Sequence, residues 1–235
     1  MKGIQVSEPV GLFLTKSDYA YNHIREGILS GEYEPGTVLH QSMLAKTIGI
    51  STTPLREAMR RLMTEGFVEL EGHRDARVST LTAEEARDLL EVRRSLDPLA
   101  AGLAAERRTR ADIRRIRETL ESVKPLPSNP SVHELTTHRA FHSAVYESSH
   151  NDLLVTSLNG LWDKADRYRR MGLQLVRTEE ERDQKDREHH ELVDAIVRGD
   201  ADGASAVMLQ HINTSLGAKA ANRLGAEPVT TPHLP

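Results

Sequence analysis

The chain has 235 residues, enough for two domains, and no cysteine, so no disulfide framework holds it and a reducing interior is permitted. Its 31 basic and 35 acidic residues leave a net charge of −4, which does not forbid nucleic-acid binding, because that needs only a local basic surface. No apolar run approaches the roughly 20 residues of a membrane span, and the Met1–Ile4 start lacks the apolar core of a secretion signal, so a cytoplasmic protein with no membrane partner is expected.

Residues 1–14 carry no pattern and are expected to be flexible. Ala20 to Leu29 predicts an amphipathic helix with Ile24, Ile28 and Leu29 facing inward, and Gly31 to Gly36 turns the chain. Leu44 to Leu62 then predicts a helix–turn–helix. Gly49 suits the left-handed backbone that ends the first helix. Thr53 is placed to cap the second helix, and Pro54 suits its first position, where a missing N–H costs nothing. Leu55, Ala58, Met59 and Leu62 form the inward stripe and Arg56, Arg60 and Arg61 point outward. Such a helix fits the DNA major groove. Gly66–Leu70 and Arg77–Thr80 predict two strands joined by the polar turn Glu71–Ala76, which makes a winged helix–turn–helix over residues 15–80.

These residues resemble the GntR superfamily of bacterial transcription regulators. The resemblance rests on Ile28-Leu29-Ser30-Gly31, Pro35-Gly36-Thr37-Val38-Leu39, Leu44-Ala45, Ser51, Thr53-Pro54-Leu55-Arg56-Glu57-Ala58, Arg61-Leu62, Glu65-Gly66 and Val68. It implies a nucleoid-associated protein that meets DNA through Lys46, Ser51, Thr52, Thr53, Pro54, Arg56, Arg60, Arg61, His73 and Arg74, with Arg56 the first choice for reading a base. Two positions depart from the family. Thr52 stands where an arginine is usual and cannot make that residue's bidentate guanine contact; Asp75 stands where glycine is usual and brings a negative charge to the wing.

From Thr82 the pattern is helical only. Thr82 caps a helix running to about Arg108, with Leu89, Leu90, Val92, Leu96, Leu99, Ala100 and Leu103 as its apolar positions. Helices at about 111–123, 131–148, 152–171, 178–198 and 201–217 follow. The proline-rich segment 125–130 is a loop, and the tail 218–235 is expected to be disordered. The reading is a mainly α protein whose residues 81–217 form an antiparallel six-helix bundle.

Histidines fall on the inward faces of that bundle. His138 and His142 are one turn apart, on the face of Leu135, Phe141 and Val145; His189 shares a face with Leu192, Val193 and Ile196, and His211 with Val207, Met208 and Ile212. Imidazoles converging from three helices suit a divalent transition metal such as Zn²⁺ or Ni²⁺. His190 points away from His189, and His23, His133 and His150 are expected at the surface. Trp162 reads as core. Arg93 either pairs with Asp97 one turn on or meets a carboxylate; Arg167 and Arg169 are further candidates for the second role. Glu188 and Glu191 read as solvated surface charges.

A second resemblance is carried by Glu91-Val92-Arg93, Phe141-His142, His189, Ala195-Ile196, Gly199-Asp200 and His211, which match the ligand-binding domain of the FadR subgroup, with six helices suggesting its shorter form. It implies a metal held by an aspartate and three histidines, with His142, His189 and His211 in the histidine places and His138 where the aspartate usually stands. It also favours a carboxylate partner for Arg93. The expected function is an operator-binding homodimer, a repressor, controlled by a small organic acid bound near the metal. An acid that binds the two arrangements of the protein unequally would tilt the bundle against the winged helix and change half-site separation. Two other readings stay open: a regulator with the ion itself as effector, and a helical metallohydrolase. Against the latter, His138-Arg139-Ala140-Phe141-His142 lacks the glutamate that follows the first histidine of the zinc-protease helix.

Overall fold

The computed structural model describes residues 15–71, 75–127, 130–173, 175 and 177–225, which fall into two compact units divided between Ser79 and Thr80. The expectations for residues 1–14, for the wing tip with His73 and Arg74, and for the last ten residues lie outside those described.

In the first unit, α1 (Lys16–Ser30) starts on a reciprocal cap between Thr15 and Asp18 and buries Ala20, Ile24, Gly27 and Ile28. α2 (Gln41–Ile48) ends where Gly49 takes φ 72°, as its sequence requires. α3 (Thr52–Thr64) has Ser51, not Thr53, as its N-cap residue, and Pro54 sits third in the helix, still among the positions whose N–H has no helical partner. The wing hairpin is β2 (Val68–Glu71) with β3 (Asp75–Val78). The sequence did not point to β1 (Val38–His40), which pairs antiparallel with β3 and makes a three-stranded sheet of order β1-β3-β2. Leu55, Ala58, Met59 and Leu62 pack with Ile24, Phe67 and Val78 into this unit's core.

The second unit is all helix: α4 (Ala83–Arg107), α5 (Arg110–Ser122), α6 (Val132–Glu147), α7 (Asp152–Leu173), α8 (Glu179–Arg198), α9 (Ala201–Asn213) and α10 (Leu216–Arg223). The protein is mainly helical, as expected, but the described bundle has seven helices rather than six. The chain does not fray at Ala218: Ser215 caps α10, whose Gly217, Ala218, Ala220 and Ala221 are buried. Small side chains carry little apolar signal, yet they let α10 lie close on α7. A Cβ on Gly172 of α7 would meet the Leu216 carbonyl oxygen at 2.3 Å.

α4 packs along α9, and it keeps Pro98 in its interior, where the Pro98 carbonyl accepts from the Ser205 hydroxyl of α9 at 2.9 Å. Its inward face is Leu89, Leu90, Arg93, Asp97, Ala100, Ala101 and Ala104. Of the apolar positions named above, Val92 and Leu99 are 43% and 48% exposed, and with the half-buried Leu96 and Leu103 they form a second apolar stripe at helical spacing.

Two glycines of α7 separate packing from propensity. Gly172→Ala should destabilise the bundle by about 1–3 kcal/mol through the α10 backbone. Gly160→Ala, with nothing within 4 Å of its added Cβ, should stabilise it by about 1 kcal/mol. Urea unfolding followed by the emission of Trp162, the single tryptophan, reads both; equal effects would show that α10 does not press on Gly172.

Candidate functional site

Two surfaces carry chemistry. On the first unit, α3 buries one side and exposes Thr52, Thr53, Arg56, Glu57 and Arg60 on the other. Arg56 and Arg60 lie one turn apart and have no ion-pair partner among the described residues. The Ser51 hydroxyl is not spent on capping α3, and the start of the helix leaves the Thr52 and Thr53 N–H groups for an anion. Lys46 is exposed on α2. Arg61 is exposed as well, but it also binds Asp18 at 2.8 Å and its guanidinium lies 4.0 Å from the Tyr21 ring centre, so it links α3 to α1. The Asp75 charge is also partly met. In the β1–β3 register it faces His40, whose Nδ1 is 3.1 Å from the carboxylate.

Inside the second unit four histidine rings meet. The nitrogens that His138, His142 and His189 offer lie within 4.8 Å of one another. The His211 ring joins them, 4.8 Å from His189 and 5.2 Å from His142 between centres. The helices α6, α8 and α9 deliver these side chains because each histidine shares its helix face with core residues. Burial, then mutual repulsion and nearby cations, hold His138, His142 and His189 well below the ordinary histidine pKa; burial also lowers His211, against the pull of Glu188. The rings are therefore neutral at physiological pH, the form that ligates metals.

The surroundings fit a metal. Both ring nitrogens of His142 and Nε2 of His189 are buried with no hydrogen-bond partner among the described residues, a cost of about 1–3 kcal/mol for each unpaired group that a ligated ion would remove. His211 donates from Nδ1 to Glu188 at 2.9 Å, which fixes its tautomer and leaves Nε2 as the lone pair, the arrangement by which carboxylates orient metal-binding histidines. Glu188 is thus a buried residue, 1% exposed, and not the solvated charge its sequence suggested. Burial opposes its charge, but the hydrogen bonds from His211 and Lys185 prevail and hold the carboxyl down at about 2. Such a carboxylate is a poor general base. Nothing in the sequence marks Lys185 and Glu188 as supports for His211, because the pairing of α8 with α9 is what brings them together.

A cavity of about 530 Å³ opens beside the cluster, within the range of small-molecule sites; its walls include Arg93, His138, Trp162, Arg169, His189 and His211. Arg93 pairs with Asp97 at 2.7 Å, the first of its two expected roles, and lines the cavity as well. Arg167 is buried and does not line the cavity; Arg169 takes the place expected of it. The guanidinium groups of Arg93 and Arg169 lie 4.9 and 5.0 Å from the Trp162 ring centre, so this core tryptophan is also a wall of the cavity. His150 binds Asp112 at 2.8 Å and His190 bonds the Asp186 carbonyl, both away from the cluster.

Comparison with known proteins finds a family match in each unit. Residues 16–78 match the model of bacterial regulatory proteins of the gntR family, and residues 88–214 match the FCD domain. The chain is 26% identical to the HTH-type transcriptional repressor GlaR of Escherichia coli K12, over 83% of this chain and 92% of that one. It is 29% identical to the HTH-type transcriptional regulator LutR of Bacillus subtilis 168, over 79% and 92% respectively. The solved structure of E. coli McbR/YncC superposes with a TM-score of 0.75 at 20% identity, over 90% of this chain and 100% of that one, a likeness of fold.

The buried neutral histidines make the metal-stripped protein sensitive to acid. Below pH 6.5 the unfolded chain takes up protons that the folded His138, His142 and His189 refuse, so stability falls as pH drops through that window, by up to about 1.4 kcal/mol per pH unit for each ring. The urea midpoint by Trp162 emission should be lower at pH 5.5 than at 7.5; an equal or higher midpoint in acid would show the rings protonated in the fold.

Proposed function

Since the chain belongs to the gntR family of bacterial regulatory proteins, with an FCD domain behind its winged helix, and is a DNA-binding transcription regulator rather than an enzyme, we propose that it represses its target by holding an operator until a small organic acid binds beside a metal in the bundle. The observation that carries the DNA half is α3: four apolar residues are buried, and Thr52, Thr53, Arg56 and Arg60 stand free on the opposite side. Arg56 is the base reader. Lys46, Ser51, Thr52, Thr53 and Arg60 position the helix on phosphates, with Pro54 shaping its start. His73 and Arg74 of the wing belong to the same proposed face.

The effector half rests on the cavity. His142, His189 and His211 would hold Zn²⁺ or Ni²⁺, which supplies a positive centre for a carboxylate, and Arg93 and Arg169 add positive charge to the same walls. An ion that alone changed DNA affinity would make the protein a metal sensor instead. The name of the E. coli relative, a repressor, supports the sign of the response. The protein acts as a homodimer on a pseudo-palindromic site in the cytoplasm, at the nucleoid, and the α4 stripe of Val92, Leu96, Leu99 and Leu103 is the surface proposed to pair two copies.

Fluorescence anisotropy on a DNA fragment from the upstream region tests this reading. Carboxylic acids should release the DNA, and chelation should abolish their effect; release by metal alone would favour the sensor, and indifference to both would remove the effector half. Arg56→Ala should weaken the complex by about 1–3 kcal/mol and relax its sequence preference; unchanged binding would clear Arg56 of the reading role. Leu99→Arg should shift the protein to monomer in light scattering with its metal content intact, and a dimer that persists would place the interface elsewhere.

A further inference from the structure

We propose that His138 stands off the metal: His142, His189 and His211 are the protein ligands, and His138 is a hydrogen-bond donor to a carboxylate that takes the next coordination position. The inference rests on the metal reading above and assigns the ligands differently from the four-histidine expectation.

The argument is one of lone pairs. Arg169 Nη2 lies 3.2 Å from His138 Nδ1, and a guanidinium can only donate. Nδ1 must then be the acceptor, and a neutral imidazole that accepts at Nδ1 carries its proton on Nε2. In that state His138 has no lone pair left for an ion, so the Arg169 contact and metal ligation by His138 exclude each other. Arg169 is firmly held. It is 5% exposed, its Nη1 donates to Asp166 at 2.8 Å, and its plane is near Trp162. The other three rings are free to ligate. Glu188 sets Nε2 of His211 as a lone pair, and His142 and His189 keep buried nitrogens without partners.

What remains around the ion selects its last ligand. Three neutral imidazoles cancel none of the charge of a divalent cation. The carboxylates near the cluster are already engaged: Asp97 by Arg93, Asp166 by Arg169, Glu188 by His211 and Lys185. His138 offers an N–H, and the Trp162 indole N–H has no partner among the described residues; both side chains line the cavity that His189 and His211 also line. A site with a cation and unpaired donors takes an acceptor-only anion, and a carboxylate can bind the ion through one oxygen and accept from His138 with the other.

Stripped protein reloaded with Co²⁺ tests this, with acetate as the probe. His138→Ala should keep one equivalent of Co²⁺ with affinity within about tenfold of the parent, whereas alanine at His142, His189 or His211 should cost more than about 100-fold. Acetate should change the visible Co²⁺ spectrum of the parent, bind His138→Ala at least about tenfold more weakly, and recover in part in His138→Gln, whose amide can donate. Loss of metal from both His138→Ala and His138→Gln, equal to that from the other three, would make His138 a ligand and overturn the proposal; so would a parent spectrum indifferent to acetate. A parent that takes up no Co²⁺ or Zn²⁺ at all would instead remove the metal reading on which the proposal stands.

Discussion

Buried ring nitrogens must find partners, and the second unit is arranged around a set that the protein itself does not satisfy. His142 is fully buried, and neither of its nitrogens, nor Nε2 of His189, has a hydrogen-bond partner among the described residues. Bundle cores of this size normally bury aliphatic groups, which need nothing from their neighbours. Here α6, α8 and α9 each spend core positions on imidazole, and α7 adds Trp162 with an unbonded indole N–H. The stability lost on these groups is recovered elsewhere in the same unit, in the apolar packing of Phe141, Val145, Leu158, Leu192, Ile196 and Met208. Such a pattern is expected where function and stability disagree about a position.

Charge is distributed by the same logic. Each buried cation near the cluster has its own carboxylate: Arg93 has Asp97, which also accepts from the Tyr146 hydroxyl at 2.6 Å, and Arg169 has Asp166. Such pairs cost desolvation and add little net stability, but removing either member is severe. They let the walls hold positive groups in fixed places without an excess of positive charge on the empty protein. An anion entering the cavity would meet donors already oriented, at an ordering cost already met by the fold.

Much of this was legible in the sequence, and the rest was hidden for identifiable reasons. The winged helix could be read because Gly49, Pro54 and the 55/58/59/62 stripe are local signals, and the wing because β2 alternates. β1 is three residues long and gains its meaning only by pairing with β3, more than thirty residues away. α10 was invisible because Gly217, Ala218, Ala220 and Ala221 are small, and smallness is what its close approach to α7 requires. The four histidines could be placed on inner faces by helical period alone. Their supports could not: Glu188 looks like any charge on a highly charged helix until α9 lays His211 against it, and Arg169 was indistinguishable from Arg167 until the turn of α7 sent one to the cavity and the other away from it. Arg61 has contacts that its sequence position did not announce, an exposed pair with Asp18 and a place over Tyr21 of α1.

One helix draws these strands together. α4 begins at Ala83, four residues after Ser79 closes the first unit, and its start is fixed by the Thr82 cap and by Tyr168, which bonds Glu85 at 2.6 Å. Arg93 lies ten residues further, about 15 Å along the axis, at the cavity wall. The flank of the same stretch, about a quarter turn from Arg93, carries Val92, Leu96 and Leu99. Between Ala83 and Arg93 the helix is uninterrupted, Pro98 lying beyond, so Arg93 and the first turn of α4 move together. Coupling between a ligand and DNA requires only that the ligand bind two arrangements with unequal affinity. One wall of the cavity, the apolar stripe and the chain's passage from the first unit are all borne by α4, so a ligand that contacted Arg93 would act on the helix that carries the other two.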